Sequence, residues 1–317
     1  MIRPFELRDI PLLHRYRQRG LFLDSIPTLT WGRALVPAGA VVSPISAAMG
    51  VFTAYYQDDE KTHEPVIGQI THSNGAPFAH FTYLAPDTAI ESPIVSPLLE
   101  SLIKRVGERG AQSLIAEVDE DSQTFEALRK ANFSIFSRQT LWRINDIEIP
   151  ENTGNDWQKS TPVDEVNIWR LYNAVVPTLV QNVEPSPAGQ MNGWVHYQGG
   201  ELLAFIAMVQ GPRGVWLQPF FHPEMEDVGN KLTGLIATLD PKSSRPLFFC
   251  LRSYQAWFTS TLENIGAEPG QNQAVMVRRL AVPIKKPVLS PLPQIQQGTE
   301  PKTTYFEIPK KTKKNKV

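Results

Sequence analysis

The chain has 317 residues, of which 42% are hydrophobic and 20% charged, with a formal net charge of −1. That length accommodates two domains of ordinary size, and that composition supports packed cores rather than a disordered or fibrous chain. A single cysteine, Cys250, excludes an intramolecular disulfide framework, and the absence of an 18-residue apolar run argues against a membrane helix.

Residues 7–19 read as an opening helix. Val51–Tyr56 and Val66–Thr71 read as strands around a polar turn, and 79–84 follows a Ser73-Asn74-Gly75 turn to complete a meander. A helix is expected over 97–109, where Leu98, Leu99, Leu102, Ile103 and Val106 fall at helical spacing and Gly110 stops it. A short apolar strand over 113–118, a helix over 122–131 and two closing strands, 133–137 and 140–144, end this segment.

The order then repeats. A helix over 163–180 opens the second segment, and strands 194–197 and 202–209 flank Gly199-Gly200, a hairpin signal. Val215–Phe221 is the third strand, followed by a helix over Val228–Leu239, a strand over 247–251, a helix over 255–265 and a closing strand over 274–281. Cys250 sits in an apolar run, which suits a buried thiol rather than a nucleophile. Trp142, Trp169, Trp194, Trp216 and Trp257 fall within these elements and read as core or interface anchors.

The expected layout is therefore a first domain over 1–147, a linker over 148–160, a second domain over 161–284 and a tail over 285–317. The tail carries eight lysines against Glu300 and Glu307, a net +6, which leaves about −7 on the rest. Rich in proline and poor in apolar surface, it reads as a disordered tether. Its lysines offer weak, salt-sensitive attraction to polyanions without specificity, and the acidic body argues against nucleic acid as a partner. The start of the chain lacks a charged region followed by an apolar core, so the expected location is cytoplasmic.

The stretch Leu98-Leu99-Glu100-Ser101-Leu102-Ile103, running on to Glu108-Arg109-Gly110, resembles the helix after the acetyl-CoA loop of the GNAT N-acetyltransferase superfamily. Ala127-Leu128-Arg129-Lys130-Ala131-Asn132-Phe133 resembles that family's Tyr-x-Lys-x-Gly-Phe helix ending, with Asn132 where glycine is usual. In the second segment His222-Pro223-Glu224 resembles a strand ending of the family, and Leu262 to Gly266 a helix exit. The resemblance covers the element order over nearly all of 1–282. It implies an α/β (α+β) fold of two tandem GNAT-like domains, each a mixed, mostly antiparallel sheet flanked by helices.

The resemblance further implies a cofactor, acetyl-CoA or another acyl-CoA, and a small-molecule or peptide amine acceptor. The family's glycine-rich loop lets backbone N–H groups approach a diphosphate at a helix N-terminus. In the first half that motif falls on 90–95, with Pro93 and Val95 at the glycine positions, which predicts poor diphosphate binding. In the second it falls on 226–231, where Gly229 is kept, Glu226 replaces a basic or amide residue and Lys231 a small one. Phe220, Phe221, Gly229, Asn230 and Lys231 are therefore the candidate cofactor contacts, although Asn230 and Lys231 are equally readable as surface residues.

The family's acidic tyrosine falls on Leu128 and Leu262, so neither half keeps it. Tyr254 is the nearest phenol and reads as a substitute acid or as a packing residue. His222 reads as a base with a pKa near working pH, or as a strand-end histidine bonded to a turn. His80 and Glu117 are the equivalents in the first half. Acceptor loops are expected at 20–49 and 266–273. Two functions remain open on this sequence: an acetyl-CoA-dependent N-acetyltransferase acting from the second half, or an inactive GNAT-fold module that binds a ligand or protein.

Overall fold

The computed structural model describes residues 1–33, 50–58, 63–145, 156–187, 192–242 and 244–280. The linker and tail expected from composition lie largely or wholly outside them. In chain order the elements are β1 (Ile2–Pro4), α1 (Ile10–Arg15), β2 (Leu21–Phe22), α2 (Ser25–Thr30), β3 (Val51–Tyr56), β4 (Val66–Thr71), β5 (Phe78–Ala85), α3 (Val95–Glu108), β6 (Ser113–Asp119), α4 (Gln123–Lys130) and β7 (Ser134–Ile144). The second half follows with β8 (Gln158–Lys159), α5 (Glu165–Val175), α6 (Thr178–Gln181), β9 (Gly193–Gln198), β10 (Glu201–Gln210), β11 (Val215–Phe221), α7 (Val228–Leu239), β12 (Leu247–Arg252), α8 (Thr259–Asn264) and β13 (Glu268–Arg279).

Local chemistry explains these elements. The buried stripe of α3, Leu98, Leu99, Leu102 and Val106, lies against β3 and β4, as helical spacing of apolar residues requires. Ser122 caps α4 by accepting from Phe125 N at 3.2 Å. At the exit of α4, Asn132 adopts φ 64°, and at the matching exit of α8 Gly266 adopts φ 86°. Asparagine tolerates that left-handed geometry better than most side chains, so it does glycine's work there.

All strands join one mixed sheet in the order β1-β3-β4-β5-β6-β13-β7-β12-β11-β10-β9-β8, with β2 attached to β5. The sequence assigns each closing strand to its own half. The structure exchanges them. β13 pairs antiparallel with β6, from Gln273↔Asp119 to Arg279↔Ser113, and β7 pairs antiparallel with β12, from Leu247↔Ile144 to Arg252↔Gln139. The two exchanged strands then pair with each other. Each half's sheet is thus completed by the other half, and 1–282 forms a single compact unit.

The two predicted strands 133–137 and 140–144 are one continuous β7, because a strand shared between two partners has no reason to turn. The acceptor loop expected at 266–273 is likewise a correction. From Glu268 it is strand β13, hydrogen-bonded to β7 with a bulge between Pro269 and Asn272. Of the tryptophans read as anchors, Trp142, Trp194 and Trp216 are buried, whereas Trp169 and Trp257 are 57% and 54% exposed.

Helices α3 and α4 cover one face of the first half and α7 and α8 the same face of the second. On the other face α5 and α6 bury Ile168, Leu171, Tyr172 and Val180 against Phe205 and Phe220, and against Phe136, Val275 and Val277 of the exchanged strands. The first half reaches back through α2. Gly211 and Gly214, between β10 and β11, lie so close to α2 that a Cβ on Gly211 would meet Thr30 O at 2.1 Å.

Candidate functional site

Each half contains one parallel strand pair, and in each the two strands part company. β11 and β12 are paired only from Val215↔Leu247 to Leu217↔Phe249. β5 and β6 are paired only from Phe78↔Ser113 to His80↔Ile115. Beyond those residues the sheet opens into a wedge, where backbone groups are free of strand partners and a ligand could enter.

The first wedge is filled by the chain itself. Leu21 and Phe22 pair with Leu84 and Tyr83 of β5. Leu23 N donates to Thr82 O at 3.1 Å and Leu23 O accepts from Glu117 N at 2.8 Å, so one residue ties β5 to β6 across the gap. Ser25 N donates to the Glu117 carboxylate at 2.9 Å. The predicted long shots His80 and Glu117 therefore do come together, around Asp24, whose carboxylate lies 3.6 Å from His80 Nδ1. Burial pushes the Asp24 carboxyl up to about 6; His80 opposes that rise and Glu117 adds to it. Segment 20–25, expected as part of an acceptor loop, is a plug.

Among the described residues the second wedge holds no such strand and is crossed by the Gln255 side chain. Gln255 Nε2 donates to Pro219 O of β11 at 2.5 Å, and Gln255 Oε1 accepts from Arg252 N of β12 at 3.2 Å. Both polar atoms of a buried carboxamide are satisfied in this way. Arg252 is buried, and its Nη2 contacts both carboxylate oxygens of Glu184 at 2.7 and 2.9 Å. Burial alone would weaken the guanidinium's hold on its proton, but the Glu184 charge together with smaller contributions from Cys250, Glu117 and Tyr254 outweighs this and raises the pKa. Glu184 O accepts from Tyr172 OH.

Beside this bridge lies a cavity of about 400 Å³, lined by Ala174, Val175, Phe221, Pro223, Met225, Tyr254, Gln255 and Trp257. Two predicted site residues, Phe221 and Tyr254, meet in it. Burial holds the Tyr254 hydroxyl well above the usual phenol range, which makes it a poor proton donor to a leaving group at neutral pH. Phe220 points to the opposite face, where it stacks on Phe205 with centroids 6.1 Å apart. His222 Nδ1 accepts from Glu224 N at 3.3 Å, the turn bond of the second sequence reading. Gln255, Arg252, Glu184 and Trp257 were missed. A buried glutamine or arginine has no sequence signature apart from its partners.

Gly229, Asn230 and Lys231 form the first turn of α7, away from that cavity. The residue before the helix, Asp227, is left-handed at φ 54° and its carboxylate accepts from Asn230 Nδ2 at 2.7 Å. Lys231 Nζ donates to Gln198 Oε1 at 3.3 Å, and Lys231 O accepts from Trp157 Nε1 at 2.8 Å. A second hollow of about 640 Å³ lies here, lined by Asp156, His196, Glu226, Asp227 and Lys231 among others. Burial and the nearby Lys231 charge lower the His196 pKa, favouring neutral imidazole.

The fit of acetyl-CoA follows from these positions. In the first half Leu21 to Leu23 stand in the wedge, and Pro93 precedes α3. In the second half Pro219 has no amide hydrogen to offer and its carbonyl is taken by Gln255. Two exposed carboxylates, Glu226 and Asp227, stand at the helix start where a diphosphate would sit. Neither half, in this arrangement, fits the group. Among the described residues no cluster suits a metal ion, and no helix is long and apolar enough to cross a membrane.

No family model matches this sequence, and no curated protein matches it. Among solved structures, a tandem GNAT protein from the clavulanic acid biosynthesis pathway is similar, at 12% identity over 88% of this chain and 98% of that one, with a TM-score of 0.48. A putative acetyltransferase from Pyrococcus horikoshii aligns over 89% and 90% at 14% identity and a TM-score of 0.47. A GCN5-related N-acetyltransferase from Sphaerobacter thermophilus covers 72% of this chain and 80% of its own, at 9% identity and a TM-score of 0.47. Likeness at this level says nothing about chemistry.

Proposed function

We propose that the chain is a tandem GNAT-fold protein that binds a small ligand in the cavity of its second half and does not transfer acyl groups from acetyl-CoA. The observation that carries this reading is the Gln255 carboxamide, which joins Pro219 O to Arg252 N across the second wedge. The strand plug in the first wedge, the carboxylates at the start of α7 and the suppressed acidity of Tyr254 support it independently. Isothermal titration of the full chain with acetyl-CoA and with CoA, up to millimolar concentration, tests it. No saturable heat is expected, and saturable binding accompanied by acetylation of an amine would sink it.

The rival reading, an N-acetyltransferase acting from the second half on a small-molecule or peptide amine, is favoured by one observation: Tyr254 and Phe221 share a cavity at the mouth of the second wedge. It requires Gln255 to leave its two partners. Turnover of acetyl-CoA that survives in wild type and disappears in Tyr254→Phe would establish it.

A further inference from the structure

The nature of the ligand can be taken one step further, on the reading that the second-half cavity is a binding site. We infer that it takes an uncharged aromatic molecule of one or two rings bearing a hydrogen-bond acceptor at one edge.

None of the eight lining residues carries a formal charge. An ionic group entering this cavity would lose its hydration with no opposite charge in the lining to replace it. The buried pair Arg252 and Glu184, which meets Gln255 through the Arg252 amide, is already neutralised internally. The neighbouring hollow at the start of α7 differs completely, with Asp156, Glu226, Asp227 and Lys231 in its wall.

The walls favour rings. Phe221, Phe258 and Trp257 form a cluster with centroids 4.9, 5.6 and 6.3 Å apart, two of its three contacts edge-to-face. Trp257 nevertheless remains 54% exposed, so one indole surface lacks a partner. A planar ligand against it would extend the edge-to-face and stacked contacts that aromatic groups prefer. Met225 supplies a thioether, which also packs well on rings. A volume of about 400 Å³ admits one or two rings and falls at the small end of ordinary ligand sites.

The polar requirement comes from Tyr254. Its hydroxyl stays protonated because burial opposes the phenolate. No hydrogen bond to that hydroxyl is present among the described residues. The amide of Gln255, by contrast, already has a partner at each polar atom, Pro219 O and Arg252 N. One O–H donor in an apolar box selects a ligand with one acceptor placed opposite it.

The test is calorimetric titration of the full-length chain with benzamide and indole-3-carboxamide, against benzoate, benzylamine and hexanamide. The two neutral aromatic amides should bind, with each charged or aliphatic counterpart weaker by about tenfold or more. Trp257→Ala should weaken binding by about tenfold, and Tyr254→Phe by roughly threefold or more. Unchanged far-ultraviolet circular dichroism separates these losses from misfolding. If hexanamide or benzoate binds as well as benzamide, the aromatic and neutral class is wrong although the cavity still binds ligands. If none of the probes binds, the inference is overturned; if acetyl-CoA binds in their place, the non-catalytic reading falls with it.

Discussion

The two wedges of this molecule arise from the same strand order and end in different states. In the first, a length of backbone closes the gap, with Leu23 bonded to Thr82 on one side and Glu117 on the other. In the second, a side chain does so, with Gln255 bonded to Pro219 and Arg252. Splaying two parallel strands leaves buried peptide groups that must find partners. A strand satisfies several of them and fills the volume, whereas one carboxamide satisfies two and leaves a cavity at its side. A doubled fold can therefore seal one copy and keep the other available.

The electrostatics differ in the same sense. The first wedge buries Asp24 beside Glu117, with His80 facing Asp24 as a base. The second buries Arg252 with a matched carboxylate. The comparison is most severely tested by Glu184→Ala, which leaves the Arg252 guanidinium buried without its counter-ion. A loss of about 3–5 kcal/mol is expected from urea unfolding. A loss below about 1 kcal/mol would mean that the second wedge does not depend on that pair.

Leu23→Ala should come next. It removes a buried side chain from the plug and should destabilise by about 2–5 kcal/mol. Binding of aromatic amides in the other half should be unaffected, and a shared loss would show that the wedges are coupled. Asp24→Asn should act in the opposite direction. The folded state holds the Asp24 proton up to about pH 6, against an ordinary value of 3.8, so its favourable contribution is present below pH 4 and is lost as pH rises through 6. Asparagine keeps the acceptor used by Ile26 N and removes the charge. The variant should exceed wild type by on the order of 2 kcal/mol at pH 7.5 and match it at pH 4. Equal stability at both pH values would discount the buried-charge account.

The smallest effect is expected for Gln255→Ala, at about 1–2 kcal/mol, since water can replace part of what the carboxamide provides. Its value lies in what it opens. If this variant gains CoA binding that wild type lacks, Gln255 is the residue that excludes the thioester.

Much of the fold was legible because it is local. The β-branched and aromatic run Val51–Tyr56 and the 3.6-residue spacing in Leu98, Leu99, Leu102 and Val106 are written in neighbouring residues, and Val215–Phe221 and Val228–Leu239 match their predicted bounds. The candidate site was less legible. Tyr254 and Phe221, which line the cavity, were singled out through their place in the repeated order. Gln255 and Glu184 were not, because a polar residue reads as exposed until its partners, 36 and 68 positions away, are known.

By itself the sequence determined most of the helices and strands and that their order occurs twice. These follow from periodicity and from side-chain chemistry within a few positions. Only the tertiary structure decided that β7 and β13 change places and that Leu21 to Leu23 enter the first wedge, with no equivalent strand in the second among the described residues. Strand pairing exchanges backbone hydrogen bonds that every residue can make, so the choice of partner depends on which groups packing brings together, and no local pattern encodes it.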